Sequence, residues 1–348
     1  MQSESHSPHI AVVILNWNGL HFLQKFLPDV IAYSNQAEVI VADNASSDQS
    51  LTWIKENHPG VRIIRMEENT GFAGGYNKAL KEVKADYYIL LNSDVQVTQN
   101  WIDPVIKLMD ADNTLAACQP KIRSFADPHL LEHAGGSGGF IDYLGYPFCR
   151  GRIYTTLEED KGQYDDICEI FWATGACLFI RSDVFHSCGG FDEDFFAHME
   201  EIDLCWRIHH RNYKIKCVPE SVIYHVGGGT LPKSNSRKTY YNFRNNLLMI
   251  HKNMLPGLWL NVFFIRLLMD GLAGIKFLLS GYPSDCLAVV KAHFYFYANY
   301  FRRKKIRALE QQHIINKNVP GIYKGSIVFQ YYLTGKRYFS QLNRPFSK

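Results

Sequence analysis

Short apolar runs alternate with amphipathic stretches over the first third of the chain. Ile10 to Leu15, Glu38 to Ala42, Val61 to Arg65 and Tyr87 to Leu91 have strand length and are rich in β-branched or aromatic residues. Helical patterns begin near Leu20 and at Ser50, and a third runs through Gly75 to Lys84. This β-α-β-α-β-α-β order predicts an α/β protein with a Rossmann-like, mixed but mainly parallel sheet flanked by helices. Ligands of such sheets collect at the carboxyl ends of the strands. Those ends are polar here: Asn16 to Gly19, Asp43 to Asp48, Asn69 to Gly75, and Asn92-Ser93-Asp94.

Beyond these, Ala176 to Ile180 reads as a strand, Glu200 to His210 as a helix, and Lys214 to Pro219 and Val218 to Ile223 as strand-like. Between about 123 and 170 the sequence is rich in glycine and charge, which predicts a long loop able to act as a lid. From Tyr240 onward it is helical and aromatic. The expected division is a catalytic domain over 8–250 and a helical, aromatic and basic region over 251–348.

The chain has 348 residues, 47% of them hydrophobic, enough to bury a full core. A net charge of +3 is too mild to argue for nucleic acid. The eight cysteines form no C-x-x-C pair, which predicts reduced thiols and a cytoplasmic location. The polar N-terminus lacks the pattern of a secretory signal. Leu255 to Leu279 is apolar but interrupted by Arg266, Asp270 and Lys276, and a charged residue at mid-bilayer costs about 2.5–3.5 kcal/mol. That disfavours a spanning helix. An interfacial segment on the inner face of the membrane and a core helix pair with a solvated basic end, Arg302 to Lys305, both satisfy the pattern.

Several polar residues sit where chemistry is expected. Asp43 at a strand tip can accept a hydrogen bond from the imide N–H of a uracil or thymine, with Asn44 and Ser46 beside it; a helix-capping turn is the alternative. Gly71, Gly74 and Gly75 precede a helix, where small residues admit a diphosphate. Asp94 suits Mg2+ or Mn2+, hard ions that share one or two carboxylates with substrate phosphates and water. His225 could coordinate the same ion, bond phosphate, or be a buried structural histidine. Glu200, Glu201 and Asp203 lie among Phe191, Phe195, Phe196, Leu204 and Trp206, so a carboxylate there can have a raised pKa and act as a general base; a helix N-terminus favouring acidic residues is the plainer reading.

The ordered blocks VVILNWNG, VIVADNASSD, ENTGFAGGYNKAL, YYILLNSD, GACLFIRSDVF, GGFDEDFFAHMEEIDLCWR and YHVGGGT resemble the family 2 glycosyltransferases of the GT-A fold, in particular their bacterial rhamnosyltransferase-like branch. The resemblance covers about Ile10 to Leu255. It implies an inverting transfer from a dTDP- or UDP-linked sugar, rhamnose among them, to a saccharide or lipid-linked saccharide, with Mn2+ or Mg2+ at the diphosphate. Carried over, Asn16, Asn18, Asp43, Asn44, Gly71, Gly74, Asn77 and Asn92 bind nucleotide, Asp94 and His225 hold the metal, and Glu201 is the base. Trp172, Gly175, Glu200 and Asp203 line the sugars. Asn92 departs from the usual first aspartate of the metal-binding motif. The rival expectations are a silent nucleotide-sugar-binding subunit and a sugar-nucleotide nucleotidyltransferase, the latter lacking its basic glycine-rich loop near Asn16.

Overall fold

A computed structural model describes residues 7–132, 135–227, 236–343 and 345–347. The N-terminal alternation folds as β1 (Ile10–Asn16), α1 (Leu20–Ala32), β2 (Ala37–Asp43), α2 (Ser50–Asn57), β3 (Arg62–Arg65), α3 (Gly71–Leu80) and β4 (Tyr87–Asn92). β1 runs parallel to β2 and β4, and β2 to β3. The register sets Asn16 beside Asp43 and Leu15 beside Asn92, so the polar tips share one edge. Alternation along β1 sends Ala11 and Val13 into one core cluster and Ile10, Val12 and Ile14 into another, as expected of a sheet covered on both faces.

The chain then adds β5 (Val95–Val97), α4 (Asp103–Ala111) and β6 (Leu115–Ser124), a ten-residue strand that the sequence pattern does not announce. Next come β7 (Gly139–Asp142), β8 (Pro147–Cys149), β9 (Arg152–Ile153), β10 (Thr156–Leu157) and β11 (Cys168–Glu169). β12 (Cys177–Arg181), α5 (Ser182–Ser187), α6 (Glu200–His210) and β13 (Lys214–His225) complete the main sheet, in the order β11-β13-β6-β12-β4-β1-β2-β3 with β5 on β13. It is mixed because β12 lies antiparallel between β4 and β6.

The C-terminal part comprises α7 (Ser236–Asn253), α8 (Pro256–Leu279), α9 (Pro283–Ala298), α10 (Tyr300–Gln311), β14 (Ile322–Tyr323) and α11 (Ile327–Tyr332). Within the stretch expected to be a lid loop, residues 139–157 instead supply four short strands of a second sheet, ordered β10-β9-β8-β7-β14 and closed by a strand from the far end of the sequence. Asp142 ties this closure: its Oδ1 accepts from the backbones of Leu144 (3.0 Å) and Tyr146 (2.8 Å), and its Oδ2 from that of Ile327 at the head of α11 (2.9 Å). The division expected at residue 250 falls inside α7, and β14 returns across it. Among the described residues no helix is long and apolar enough to cross a membrane.

Candidate active site

The tips of β1, β2 and β3 form a web of side-chain bonds. Asn16 Nδ2 donates to Asp43 Oδ1 (3.1 Å) and to Ser46 Oγ (3.0 Å), while Asp43 Oδ2 accepts from the Ser46 backbone (3.1 Å). Asn18, with φ of 52°, accepts through Oδ1 from the Ser47 and Asp48 backbones. Asn44 donates to Asn69 Oδ1 and to the Gly71 carbonyl and accepts from the Thr70 backbone, which fixes the turn into α3. Asn16 Oδ1 and Thr70 Oγ1 are buried without a hydrogen-bond partner among the described residues. A buried polar atom is normally paired, and these two instead lie against Gly19 and Gly74, where a Cβ would come within 2.5 and 2.8 Å of them.

Gly71 connects this edge to the acidic knot. Its φ is +74°, and a Cβ there would lie 2.4 Å from the Phe196 carbonyl oxygen. That carbonyl accepts from the Phe72 backbone at 2.7 Å. Gly71→Ala is therefore expected to destabilise the fold by at least about 1–2 kcal/mol through the left-handed backbone alone. Urea unfolding measures this, and an unchanged midpoint would mean that the contact yields easily. Gly74 sits against Thr70, where a Cβ would come within 2.7 Å.

At the end of β4, Asp94 is brought to His225 because β5 pairs antiparallel with β13, His225 lying opposite Val95. His225 Nε2 is 3.2 Å from Asp94 Oδ1, and its Nδ1 is 3.0 Å from Glu132 Oε2. Burial pulls the imidazole pKa down, but the hydrogen bonds and charges of Asp94 and Glu132 outweigh it and push it up to about 10. Among the described residues no three acidic, histidine or cysteine groups converge as a ready metal cage. The pair nevertheless fits a hard divalent cation: two ligands about 2.1 Å from an octahedral ion, on adjacent vertices, stand about 3 Å apart. Glu132, absent from the sequence expectations, would then hold Nδ1–H and orient the ring. Asn92 sits at the end of β4, its backbone N–H donating to the Ala176 carbonyl at 3.0 Å. Gly228 and Gly229, which follow His225, lie outside the described residues.

Glu201 stands in the first turn of α6, directly after a strained approach. Phe196, His198 and Met199 have φ of 62°, 71° and 72°. Non-glycine residues in this region cost energy and persist only where their surroundings hold them. Here α7 does so: Asn245 Nδ2 donates to the carbonyls of Phe195, Ala197 and His198 at 2.7–2.9 Å, and Arg244 Nη2 to those of Asp194 and Phe195. Burial pushes the Glu201 carboxyl up to about 7, and burial together with the Glu201 charge pushes Glu200 well above the carboxylate range. Glu200 Oε2, Glu201 Oε2 and His198 Nε2 are buried with no partner among the described residues. The Cys149 thiol, raised chiefly by burial to about 12, also senses the charges of both Glu132 and Glu201.

Three expected site residues are placed elsewhere. Asp203 is fully buried and bonded to Arg207, Lys252 and Asn253, so its oxygens serve an internal ion cluster rather than a sugar. Trp172 donates from Nε1 to the Phe140 carbonyl (2.9 Å) and its ring covers Gly139, where a Cβ would approach within 2.2 Å; it is core. Asn77 exchanges both amide bonds with the Phe191 backbone and donates to Glu193, so it buttresses the turn before α6 instead of facing nucleotide. Gly175 allows Phe72 to close over it, a Cβ lying 3.1 Å from the ring.

Comparison with known proteins agrees with this architecture. The family model described as glycosyl transferase family 2 matches residues 11–187, just over half of the chain. The chain is 26% identical over 235 residues to the N-acetylglucosaminyl-diphospho-decaprenol L-rhamnosyltransferase of Mycobacterium tuberculosis, covering 62% of this chain and 75% of that protein. It is 24% identical over 247 residues to a low-salt glycan biosynthesis hexosyltransferase of Haloferax volcanii, covering 69% and 74%. In fold it is similar to the mannosyltransferase of Pyrobaculum calidifontis solved with GDP-Man and Mn2+, with a TM-score of 0.52 and 15% identity over 89% of this chain and 86% of that one. It is likewise similar to GalNAc-T7 solved with UDP, GalNAc and Mn2+, with a TM-score of 0.56 and 17% identity. That match takes in 72% of this chain but only 48% of the other, about half its length. With the model running from β1 through α5 on a sheet of the GT-A type, the chain belongs to glycosyl transferase family 2.

Proposed function

We propose that this protein is an inverting glycosyltransferase of cell-surface polysaccharide synthesis. It moves a sugar from a nucleoside diphosphate, dTDP- or UDP-linked, onto a saccharide or lipid-linked saccharide. The observation that carries the reading is the Glu201 carboxylate: a buried oxygen without a partner among the described residues, a pKa pushed up to about 7 by burial, and a strained segment that α7 holds at the head of α6. A base of this pKa takes a proton efficiently at neutral pH.

In this mechanism Asp43, Asn16, Asn18 and Asn44 hold the nucleoside at the strand tips. The adjoining cleft of about 670 Å³, lined by Ala45, Ser46, Arg65, Met66 and Glu67, takes the base. Gly71 and Gly74 shape the turn into α3 by admitting Phe196 and Thr70, and the first α3 amides bond Asn69 and Phe196, so these glycines support the nucleotide edge from within rather than meeting the diphosphate. Glu201 accepts the proton of the acceptor hydroxyl as that oxygen bonds to the anomeric carbon, and the bond from that carbon to the diphosphate oxygen breaks on the opposite face. Glu200, its carboxyl pushed well above the carboxylate range by burial and the Glu201 charge, lines the sugar beside it. Asp94 and His225 would hold Mn2+ or Mg2+, which when bound supplies charge neutralisation to the departing diphosphate. The deprotonated nucleoside diphosphate leaves with the sugar configuration inverted.

Thermal shift with nucleotide sugars, with and without Mn2+, tests donor and metal together. Selective stabilisation by one donor, enhanced by Mn2+, is the expected result, and indifference to all of them would refute the reading. Asp94→Ala is expected to weaken the Mn2+ effect in the presence of nucleoside diphosphate by about 100-fold, at or beyond the 10–100-fold typical of outer-shell partners. Retention of the wild-type Mn2+ response would remove Asp94 from the metal.

A further inference from the structure

Helix α8 is amphipathic in reverse. The residues it turns inward are Trp259, Val262, Arg266, Asp270 and Gly274, so its buried stripe contains its acid and an arginine. Arg266 is 1% exposed, donates to Asn246 Oδ1 and the Leu144 carbonyl, pairs with Asp270 at 3.2 Å and lies 3.8 Å above the Tyr146 ring. Asp270 accepts in turn from His293 of α9 at 3.1 Å. Two of the three charges that interrupt the apolar run in the sequence, Arg266 and Asp270, are therefore withdrawn from the surface, and Lys276 stays exposed. What α8 turns to water is mostly apolar: Phe264 is 64% exposed, Leu268 66% and Leu279 83%, and Leu258, Leu272 and Ile275 are exposed with them. Phe294 of α9 and Phe301 of α10 are exposed as well.

A contiguous face of this kind on a globular protein marks a contact surface. Its charge identifies the occupant. Between Pro256 and Gln311 Lys276, Lys291, Lys304 and Lys305 are exposed, whereas Asp270 and Glu310 are buried and Asp285 is half-buried and bonded to Thr239. A second copy of the chain docking here would bring lysines against lysines, while anionic headgroups complement them. We infer that the outer face of α8, with the adjoining α9 and α10, docks in the plane of an anionic lipid bilayer. The inward stripe stays packed on the protein, so the 24-residue helix lies along the interface over about 36 Å rather than crossing it.

This deepens the proposed function, on which it rests for the lipid-linked acceptor. α9 packs on α7, where Arg244 lies 5.0 Å from the Tyr295 ring, and the same Arg244 and its neighbour Asn245 hold the segment before Glu201. The lipid face and the base are thus braced by one helix.

The test is sedimentation of the purified full chain with vesicles of phosphatidylglycerol and phosphatidylcholine, against phosphatidylcholine alone. Binding to the anionic vesicles, weakened by high salt, is expected. The double variant F264D/L268D should lower it by about tenfold or more, and K304E/K305E should remove most of the preference for anionic lipid. Both change exposed side chains, so circular dichroism and stabilisation by nucleotide sugar should match wild type. Failure to sediment with either vesicle, binding indifferent to lipid charge, or a dimer in light scattering that F264D/L268D dissociates would each overturn the inference. Donor stabilisation reports separately on the catalytic reading, so the two can fail independently.

Discussion

Glu201→Gln retains the native fold and loses sugar transfer by about 10²–10⁴-fold, the usual contribution of a positioned base. Its carboxylate has an oxygen with no internal partner, so the amide leaves the surrounding bonds in place. In the wild type, kcat/KM should rise with pH through about 7, as burial-raised Glu201 gives up its proton, and the residual activity of the variant should lack that rise. Stability moves the other way. The folded-state pKa lies above the ordinary value of 4.5, so the native state holds the proton more tightly than the unfolded chain. Stability therefore falls as pH climbs from about 4.5 to about 7 and stays reduced above it. The variant escapes this penalty and should melt higher than wild type at pH 8, by about 2 °C or more, with the difference shrinking at pH 5. Near wild-type transfer by the variant, or an unshifted acid limb, would remove Glu201 from the role of base.

Lys252→Met is expected to cost about 3 kcal/mol of stability in urea unfolding, because removing one member of a buried ion cluster leaves charge uncompensated. Lys252 Nζ lies 2.9 Å from both Asp192 Oδ2 and Asp203 Oδ2. Asp203 also pairs with Arg207 at 2.9 Å, and Asp192 with Arg303 at 3.2 Å. Both carboxyls are held below the usual range: burial opposes this, but the neighbouring cations prevail. The stabilisation they give is present above the unfolded carboxylate pKa and is lost as pH falls through the lower folded value. The remaining Arg207 and Arg303 should soften the loss. The donor KM of folded Lys252→Met should match wild type, since the cluster braces α6 from behind. A raised KM with unchanged stability would return Asp203 to the sugar site.

Much of the polar strand-tip edge was legible in the sequence, because β1, β2 and β4 centre on apolar runs and all four tips carry polar residues. The helix from Glu200 to His210 was also readable. β6 was not: its run holds Gln119, Pro120 and Lys121, which look unlike a buried strand. In the fold the Lys121 ammonium is paired with Asp160 at 3.0 Å and Gln119 accepts from the Thr174 backbone, so polar residues occupy core positions through distant partners. The small sheet was hidden for another reason, its strands being two to four residues long, too short to show a period. Glu132 has no local motif and acquires a role only where the fold sets it against His225. Asp203, Trp172 and Asn77 sit in or near motif blocks, but membership in a block does not say which way a side chain points. Asp203 lies only two residues beyond Glu201, about 200° around a helix, on its other side.

The pairing of β7 with β14 joins residues 141–142 to 322–323. During synthesis the main sheet has all its strands once His225 has emerged, and it can assemble on its own. The edge of the small sheet must wait for nearly a hundred further residues to be translated, and it is this sheet that carries Cys149, the thiol that senses Glu132 and Glu201. A nascent chain can thus pair its main sheet early, while the far edge of the small sheet closes late, once translation of the C-terminal third is well advanced.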